Sequence, residues 1–306
     1  MWFKNLHIYR FTQPFEVDAE TLASQLESQV FVPCGGHDRE RTGWVPPLGR
    51  HGSELVHATN GYLMLCSRHQ EKLLPAAVIR EAVDERAIEI EAREARPLHR
   101  KERRDLRDEV FFSLLPRALV RSTLQFAYIA PREQMLIIDT PSAKRAEEFL
   151  KLLRDTLGSL SVVPLEVQHS PIATMTRWVR DARAESGFSL GEECELRDDN
   201  DVSSLIRCKN QDLTASEISN HLKTGMHVSK LALDWQQRAQ FVLDEDLVVR
   251  RLRFNDLLQE QAREIEGDDP ASRFDVDFSL MTLEVSKLLE ALTEALGGID
   301  TGDEGA

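Results

Sequence analysis

Hydrophobic positions recur with period two at the start of the chain, and stretches with a period near 3.6 interrupt that pattern from there on. Residues Phe3–Phe11 are rich in aromatic and β-branched side chains and predict a strand. Asp18 is a helix cap, with Leu22 and Leu26 at i, i+4 in a helix reaching Gln29. Pro33–Asp38 reads as a loop, and Gly43-Trp44-Val45-Pro46-Pro47-Leu48-Gly49 as a second, rigid one. Leu55–Val56 and Tyr62–Cys66 then form a strand pair across Asn60-Gly61, a strong turn dipeptide.

After Pro75 the pattern becomes helical. Ala76–Arg96 and Lys101–Leu115 predict two helices joined at Arg96-Pro97-Leu98-His99. Near that turn the apolar residues thin to Ala87, Ile88, Ile90, Ala92, Ala95 and Leu98, too little for a core. Toward the other end Leu106, Val110 and Leu114 resume i, i+4 spacing, and Phe111 and Leu115 widen the stripe. The expectation is a helical finger with a packed root and a protruding tip.

Strands return at Ser122–Ile129 and Gln134–Asp139, followed by a helix opening at Thr140-Pro141 with Leu150 and Leu153 on its buried face. Beyond Pro164–Pro171 come a helix over Ile172–Ala184 and strands over Phe188–Leu196 and Ser203–Cys208. A capping box, Thr214-x-x-Glu217, opens a further helix. A β-meander follows: Val228–Trp235, Ala239–Leu243, a turn at Asp244–Asp246, and Leu247–Phe254. In the last helix Phe274, Phe278, Met281, Val285, Leu288 and Leu292 keep heptad spacing. Leu280, Leu283 and Leu289 make the stripe wider than a coiled-coil seam needs. It reads as core packing or as part of a dimer interface, and Gly297–Ala306 as a disordered tail. The class is α+β with mixed or antiparallel sheets. Residues 1–75 and 119–167 form one domain in two parts, 76–118 the finger, and 168–306 a base domain with the meander and terminal helix.

Charge changes the picture. The chain is −14 overall, which argues against a polyanionic partner. However, residues 255–306 hold fourteen acids and three bases, leaving residues 1–254 at only −3. Arg93, Arg96, Arg100, Lys101, Arg103, Arg104 and Arg107 face only Glu94, Glu102 and Asp105, so Arg93–Arg107 is +4. Local field rather than net charge decides what a surface attracts. Ordinary helix-face pairing absorbs part of the run through Glu91, Glu94 and Glu102. The excess arginine at a turn, continued in Arg117 and Arg121 and echoed by Arg251 and Arg253 along the last strand, points to a phosphate backbone. No aromatic residues interleave the basic tip, which favours backbone contact with duplex over single-strand stacking.

Catalytic signals are poor. There is no G-x-x-x-x-G-K-[ST] loop, no G-x-G-x-x-G after a strand and no G-x-S-x-G elbow. Cys34 and His37 have a two-ligand spacing without a second pair, so no metal or other cofactor is expected. The competing enzyme reading is a Mg²⁺-dependent nuclease built on Asp139, Asp275 and Asp277, with Asp234 a weaker candidate. Against it, Asp139 precedes a helix start, while Asp275 and Asp277 fall in the first turn of the last helix, where they favour the dipole. Cys34, Cys66, Cys194 and Cys208 lie far apart and read as reduced thiols of a cytoplasmic protein. No apolar run approaches the ~18 residues of a membrane span.

Five stretches carry a resemblance: Trp2-Phe3-Lys4-Asn5-Leu6, Gly43-Trp44-Val45-Pro46-Pro47, Ser113-Leu114-Leu115-Pro116-Arg117-Ala118, Gln211-Asp212-Leu213-Thr214 and Lys230-Leu231-Ala232-Leu233-Asp234-Trp235-Gln236-Gln237-Arg238. In this order the chain resembles the recombination-associated protein RdgC family along essentially its whole length. The resemblance implies a bacterial, cytoplasmic, nucleoid-associated, non-enzymatic protein that binds DNA with little sequence preference and limits the RecA recombinase. It implies horseshoe-shaped subunits closed into a ring-shaped homodimer, with duplex DNA in a basic hole. Single-strand binding and direct RecA contact stay open. The family's gate and hole positions carry over to Arg117, Leu119, Lys209 and Gln211, with Leu115 behind Leu119. Leu119 is aliphatic where the gate is associated with an aromatic residue, and Asn210 replaces one base of a pair with Lys209.

Overall fold

The structure is a computed structural model that describes residues 1–198, 204–256, 258, 260 and 269–302. It is a mixed α+β fold with two antiparallel sheets and a long C-terminal helix. The first sheet contains β1 (His7–Phe11), β2 (Glu40–Trp44), β3 (Val56–Thr59), β4 (Tyr62–Leu73), β5 (Leu119–Ala130), β6 (Met135–Ile138) and β7 (Val162–Pro164). Its order is β2-β4-β5-β6-β1-β7, with β3 also on β4. The second contains β8 (Phe188–Asp198), β9 (Leu205–Lys209), β10 (Met226–Trp235), β11 (Ala239–Asp244) and β12 (Val249–Phe254), in the order β12-β11-β10-β8-β9. The meander β10–β11–β12 is as the alternation predicts. Ser203, at the expected start of β9, lies outside the described residues.

Helix α1 (Ala19–Leu26) is capped by Asp18, whose carboxylate accepts from the Thr21 N–H at 2.8 Å. It packs with α4 (Ala143–Leu157) on one face of the first sheet, burying Leu22, Leu26, Trp44, Phe149 and Leu153. The opposite face, with Met64, Tyr128 and Ile137, shares a core with the second sheet, α5 (Pro171–Arg180) and α7 (Pro270–Ala295). Phe278, Met281, Val285, Leu288, Leu289 and Leu292 of α7 are buried there, each contributing about 1.5–3 kcal/mol. The heptad stripe is therefore spent inside the subunit, and of its widening residues Leu283 stays exposed.

Five local expectations fail, each for a reason outside sequence pattern. The opening strand divides: residues 4–6 pair with β12 through Leu6 and Val249, and only His7–Phe11 belongs to the first sheet. Residues 40–44 form β2 on β4, invisible to periodicity because Glu40, Arg41 and Thr42 are all exposed. Helix α4 is capped by Ser142 rather than at Thr140-Pro141. The capping box before α6 (Ser216–Lys223) does not form, because the Thr214 N–H and hydroxyl both donate to Asp212 at 2.8 and 2.6 Å. Residues 297–302 are docked rather than free: Gln168 donates to the Gly298 carbonyl at 3.1 Å and Asp300 to that of Glu166 at 2.9 Å. Residues 303–306 lie outside the described residues.

Gly43 shows how tightly the sheet edge is built. The chain at Val30–Phe31 runs beside Trp44, and a Cβ on Gly43 would lie 2.5 Å from Phe31 Cα and 2.9 Å from the Gln29 carbonyl oxygen. Backbone must move to admit a methyl, so Gly43→Ala is expected to cost about 1–3 kcal/mol in denaturant unfolding. Gly36→Ala, where a Cβ meets nothing within 4 Å, should stay within roughly 0.5 kcal/mol of the unmodified protein. Equal midpoints for the two variants would show that the Phe31 backbone yields freely.

Candidate nucleic-acid interface

The finger consists of α2 (Ala76–Glu94) and α3 (Arg100–Leu114). It turns at Ala95, which is left-handed at φ 57°. A capping box opens α3, with Glu102 accepting the His99 N–H at 2.8 Å. The finger's core is small: Ile79, Val83, Ala87, Leu106 and Val110 are buried, and Ile90 and Leu98 pack against them. Packing thus reaches nearer the tip than the apolar count suggests.

Positive charge runs down one side of the finger instead of sitting only at its turn. A groove between the two helices is lined by Ala76, Arg80, Val83, Asp84, Arg100, Arg103, Arg104 and Arg107. Asp84 alone opposes five arginines there, and it is held by Arg103. Arg80 was not visible as a site residue, because α2 around it has six acids against three bases and so no basic excess. Arg96 is committed elsewhere, with bonds of 2.9 and 2.7 Å to Glu102 and another of 2.8 Å to Glu94. That pairing holds the Glu102 carboxyl down at about 2. Arg104 has only a 3.9 Å contact with Asp105, while Arg100, Lys101 and Arg107 make no ion pair among the described residues.

At the finger root, a tight turn over Leu115–Arg117 leads from α3 into β5. Leu115 is fully buried and Leu119 is 78% exposed. Leu119 pairs with Leu73 at the outer end of the β4–β5 ribbon, beside exposed Val120. Arg117 is exposed and makes no ion pair among the described residues. Arg121 is held by Glu71 across the ribbon at 2.5 and 3.0 Å.

Arg251 and Arg253 share a groove on the second sheet, while Lys209, on the opposite edge strand, stands across from Glu193 in register. Lys209 ends β9, and the Gln211 N–H donates to the Glu192 carbonyl at 3.1 Å just beyond it. Between them Asn210 takes φ 51°, a left-handed position that asparagine tolerates better than lysine or arginine. Arg251 and Arg253 line a groove with Glu193, Asn210 and Asp234, and Arg251 reaches Glu193 at 2.8 Å. Arg197, Arg207 and Lys230 add charge around buried Glu195, at 3.2, 3.0 and 2.9 Å. The period-two placement of Glu195 and Arg197 on β8 and of Arg207 and Lys209 on β9 was the signal available for finding the first two of these.

The family model described as "Putative exonuclease, RdgC" matches residues 1–299. A recombination-associated protein RdgC of Tolumonas auensis is 46% identical, covering 97% of this chain and 99% of its own. Those of Aeromonas hydrophila and Pseudomonas putida are 45% and 44% identical, each covering 97% of this chain and 98% of its own. The chain belongs to the RdgC family. Several stretches that carry the likeness are architectural here. In Trp2–Leu6, the Trp2 indole donates to Asp277 at 2.8 Å, and the Lys4 and Asn5 N–H groups donate to Asp139 at 3.0 and 2.9 Å. In Lys230–Arg238, Arg238 clasps buried Glu284 of α7 at 2.8 and 2.6 Å.

These contacts also correct the carboxylate reading. Asp139 holds the N-terminal segment, Asp277 holds Trp2, and Asp275 lies 3.2 Å from His57. Helix α7 begins at Pro270, capped by Asp269, so Asp275 and Asp277 belong to its second turn. Asp234 accepts from the Gln237 N–H at 2.8 Å in the β10–β11 turn. Among the described residues no three His, Cys, Asp or Glu side chains converge as metal ligands.

Glu195 supplies a pH test of the second sheet. Burial pushes its carboxyl up, but hydrogen bonds from Lys230, Arg207 and Arg197 outweigh that and hold it at about 2, against 4.5 unperturbed. A depressed carboxyl contributes stability that is complete above 4.5 and is lost as pH falls toward 2. Glu195→Gln should therefore lose on the order of 2–3 kcal/mol at pH 7. The gap from the unmodified protein should close between pH 4.5 and 2 in urea titrations. A gap independent of pH over that window would assign the loss to packing.

Proposed function

We propose that this protein binds duplex DNA without reading its sequence, acts as a ring-shaped homodimer of horseshoe subunits, and limits RecA-mediated recombination. The observation that carries the DNA reading is the arginine groove of the finger, where five arginines face one aspartate already held by one of them. Guanidinium groups on a side with so little acid are suited to phosphates, which every sequence presents alike. Arg117, Lys209, Gln211, Arg251 and Arg253 extend the proposed surface. The ring, the nucleoid location and the effect on RecA rest on family membership. Among the described residues no helix is long and apolar enough to cross a membrane.

A second reading, a Mg²⁺-dependent exonuclease, is favoured by the family's own description. The separate engagements of Asp139, Asp275 and Asp277 weigh against those three residues as its centre. Incubation with linear and supercoiled duplex, with and without Mg²⁺, separates the readings: retarded but intact DNA supports binding alone, and shortened linear DNA supports the nuclease.

Affinity should fall with salt with a slope of about −0.9 for each phosphate neutralised, and about four to eight phosphates are expected for two subunits. Changing Arg100, Lys101, Arg104 and Arg107 together to Ala should weaken binding at least tenfold and flatten that slope, with little change in melting temperature. Arg96→Ala alone should do less, since its guanidinium already serves Glu102 and Glu94. Unchanged affinity in the fourfold variant would move the interface off the finger.

Leu119 is the proposed gate. An exposed aliphatic side chain between Arg117 and Arg121 has no core to join, and its contact with a second subunit would close the ring. Leu119→Ser should speed dissociation from closed circular DNA severalfold more than from open-ended fragments, because only circles require the ring to open. Equal dissociation from both substrates, at the unmodified rate, would remove Leu119 from the gate.

A further inference from the structure

All four cysteines are free thiols, and two of them face each other. Cys194 of β8 stands directly opposite Cys208 of β9 in the antiparallel register. Opposed residues in such a pair have Cα atoms about 4.5–5.5 Å apart. A disulfide accepts about 4.4–6.8 Å. The other two thiols differ: Cys34 Sγ lies 3.5 Å from the Gln70 carbonyl and Cys66 Sγ 3.8 Å from that of Ser67.

We propose that Cys194 and Cys208 form a peroxide-responsive dithiol that closes into an intramolecular disulfide across β8 and β9. The two thiols are unequal in the way such chemistry uses. Cys194 is 2% exposed, whereas Cys208 is only partly buried and meets a dissolved oxidant first. The Cys208 thiolate attacks one oxygen of hydrogen peroxide. The O–O bond breaks, a sulfenic acid forms, and the hydroxide released takes a proton to become water. The sulfur of Cys194 then attacks that of Cys208. The S–S bond forms, the S–O bond breaks, and hydroxide leaves with the proton of Cys194 as a second water. Two thiols are oxidised by two electrons and one peroxide is reduced to two waters. Burial, and secondarily the neighbouring Cys208, push the Cys194 thiol up to about 12.

The consequence lies at the sheet edge. Among the described residues β9 pairs with β8 alone, and its Arg207 and Lys209 flank Cys208. A covalent link one pair from the end of that register holds an outer strand that backbone hydrogen bonds otherwise hold from one side. This inference does not depend on the DNA reading.

The test uses the purified full-length protein treated with hydrogen peroxide, alkylated and digested without reductant. Free thiols should fall from four to two, with a peptide joining Cys194 to Cys208, a monomeric band without reductant, and full reversal by dithiothreitol. Amide exchange along β9 should slow by roughly tenfold on oxidation. A Cys34→Ser/Cys66→Ser double variant, which leaves the pair intact, should form the same link. Cys194→Ser should form none, and its Cys208 should proceed to sulfinic acid. Four thiols surviving peroxide that oxidises glutathione, or Cys208 overoxidised in the unmodified protein with Cys194 still free, would overturn the proposal.

Discussion

The capture of the first few residues by two carboxylates holds this fold together. Asp139 leaves the end of β6 and accepts the N–H groups of Lys4 and Asn5; Asp277 leaves α7 and accepts the indole of Trp2. Between these contacts Phe3 is buried against Tyr128, and Leu6 exchanges both backbone hydrogen bonds with Val249 of β12. One short segment therefore touches the first sheet, the second sheet and the last helix. Burial raises the Asp139 carboxyl above its usual range even against those backbone hydrogen bonds. A half-buried acceptor of that kind is costly to leave unpaired, which makes the arrangement specific as well as cohesive.

The same logic governs the other buried acids. Glu284 sits under Arg238 and Lys287, Asp244 under Arg250 at 2.6 Å, and Glu195 under three cations. Each is a charge that the interior tolerates only because it is paired and hydrogen-bonded. Acidic residues that a catalytic reading would gather into one centre are distributed instead as separate fastenings. They join helix to sheet, turn to strand and strand to strand.

The finger follows the opposite rule. Its core is a few aliphatic side chains, and Arg80, Arg100, Lys101 and Arg107 make no ion pair among the described residues, while its other arginines are paired. A thin core limits how stable an isolated helical hairpin can be, yet it leaves one side free to carry guanidinium groups. The acid that gives the chain its negative total is concentrated elsewhere, so the field near the finger is set by the finger itself. At physiological ionic strength, charges beyond about 8 Å are screened, which keeps the distal acids from cancelling it.

Much was legible along the chain. Period-two and 3.6-residue patterns located the meander, the helical hairpin and the last helix, because each buries a face against its neighbours and composition must follow. The surplus of arginine was equally plain, since charge needs no fold to be counted. Tertiary structure decided what lacks a local signature. Residues 40–44 became a strand only because β4 offered an edge, and residues 4–6 left the first sheet because β12 lay within hydrogen-bond reach. Thr214 gave up its capping role to a nearer acceptor, Asp212. Arg96 and Arg104 are the same residue type in one basic run, yet one is tied to two glutamates and the other is nearly free. Pairing depends on distances across a turn, and distance is what a linear pattern does not contain.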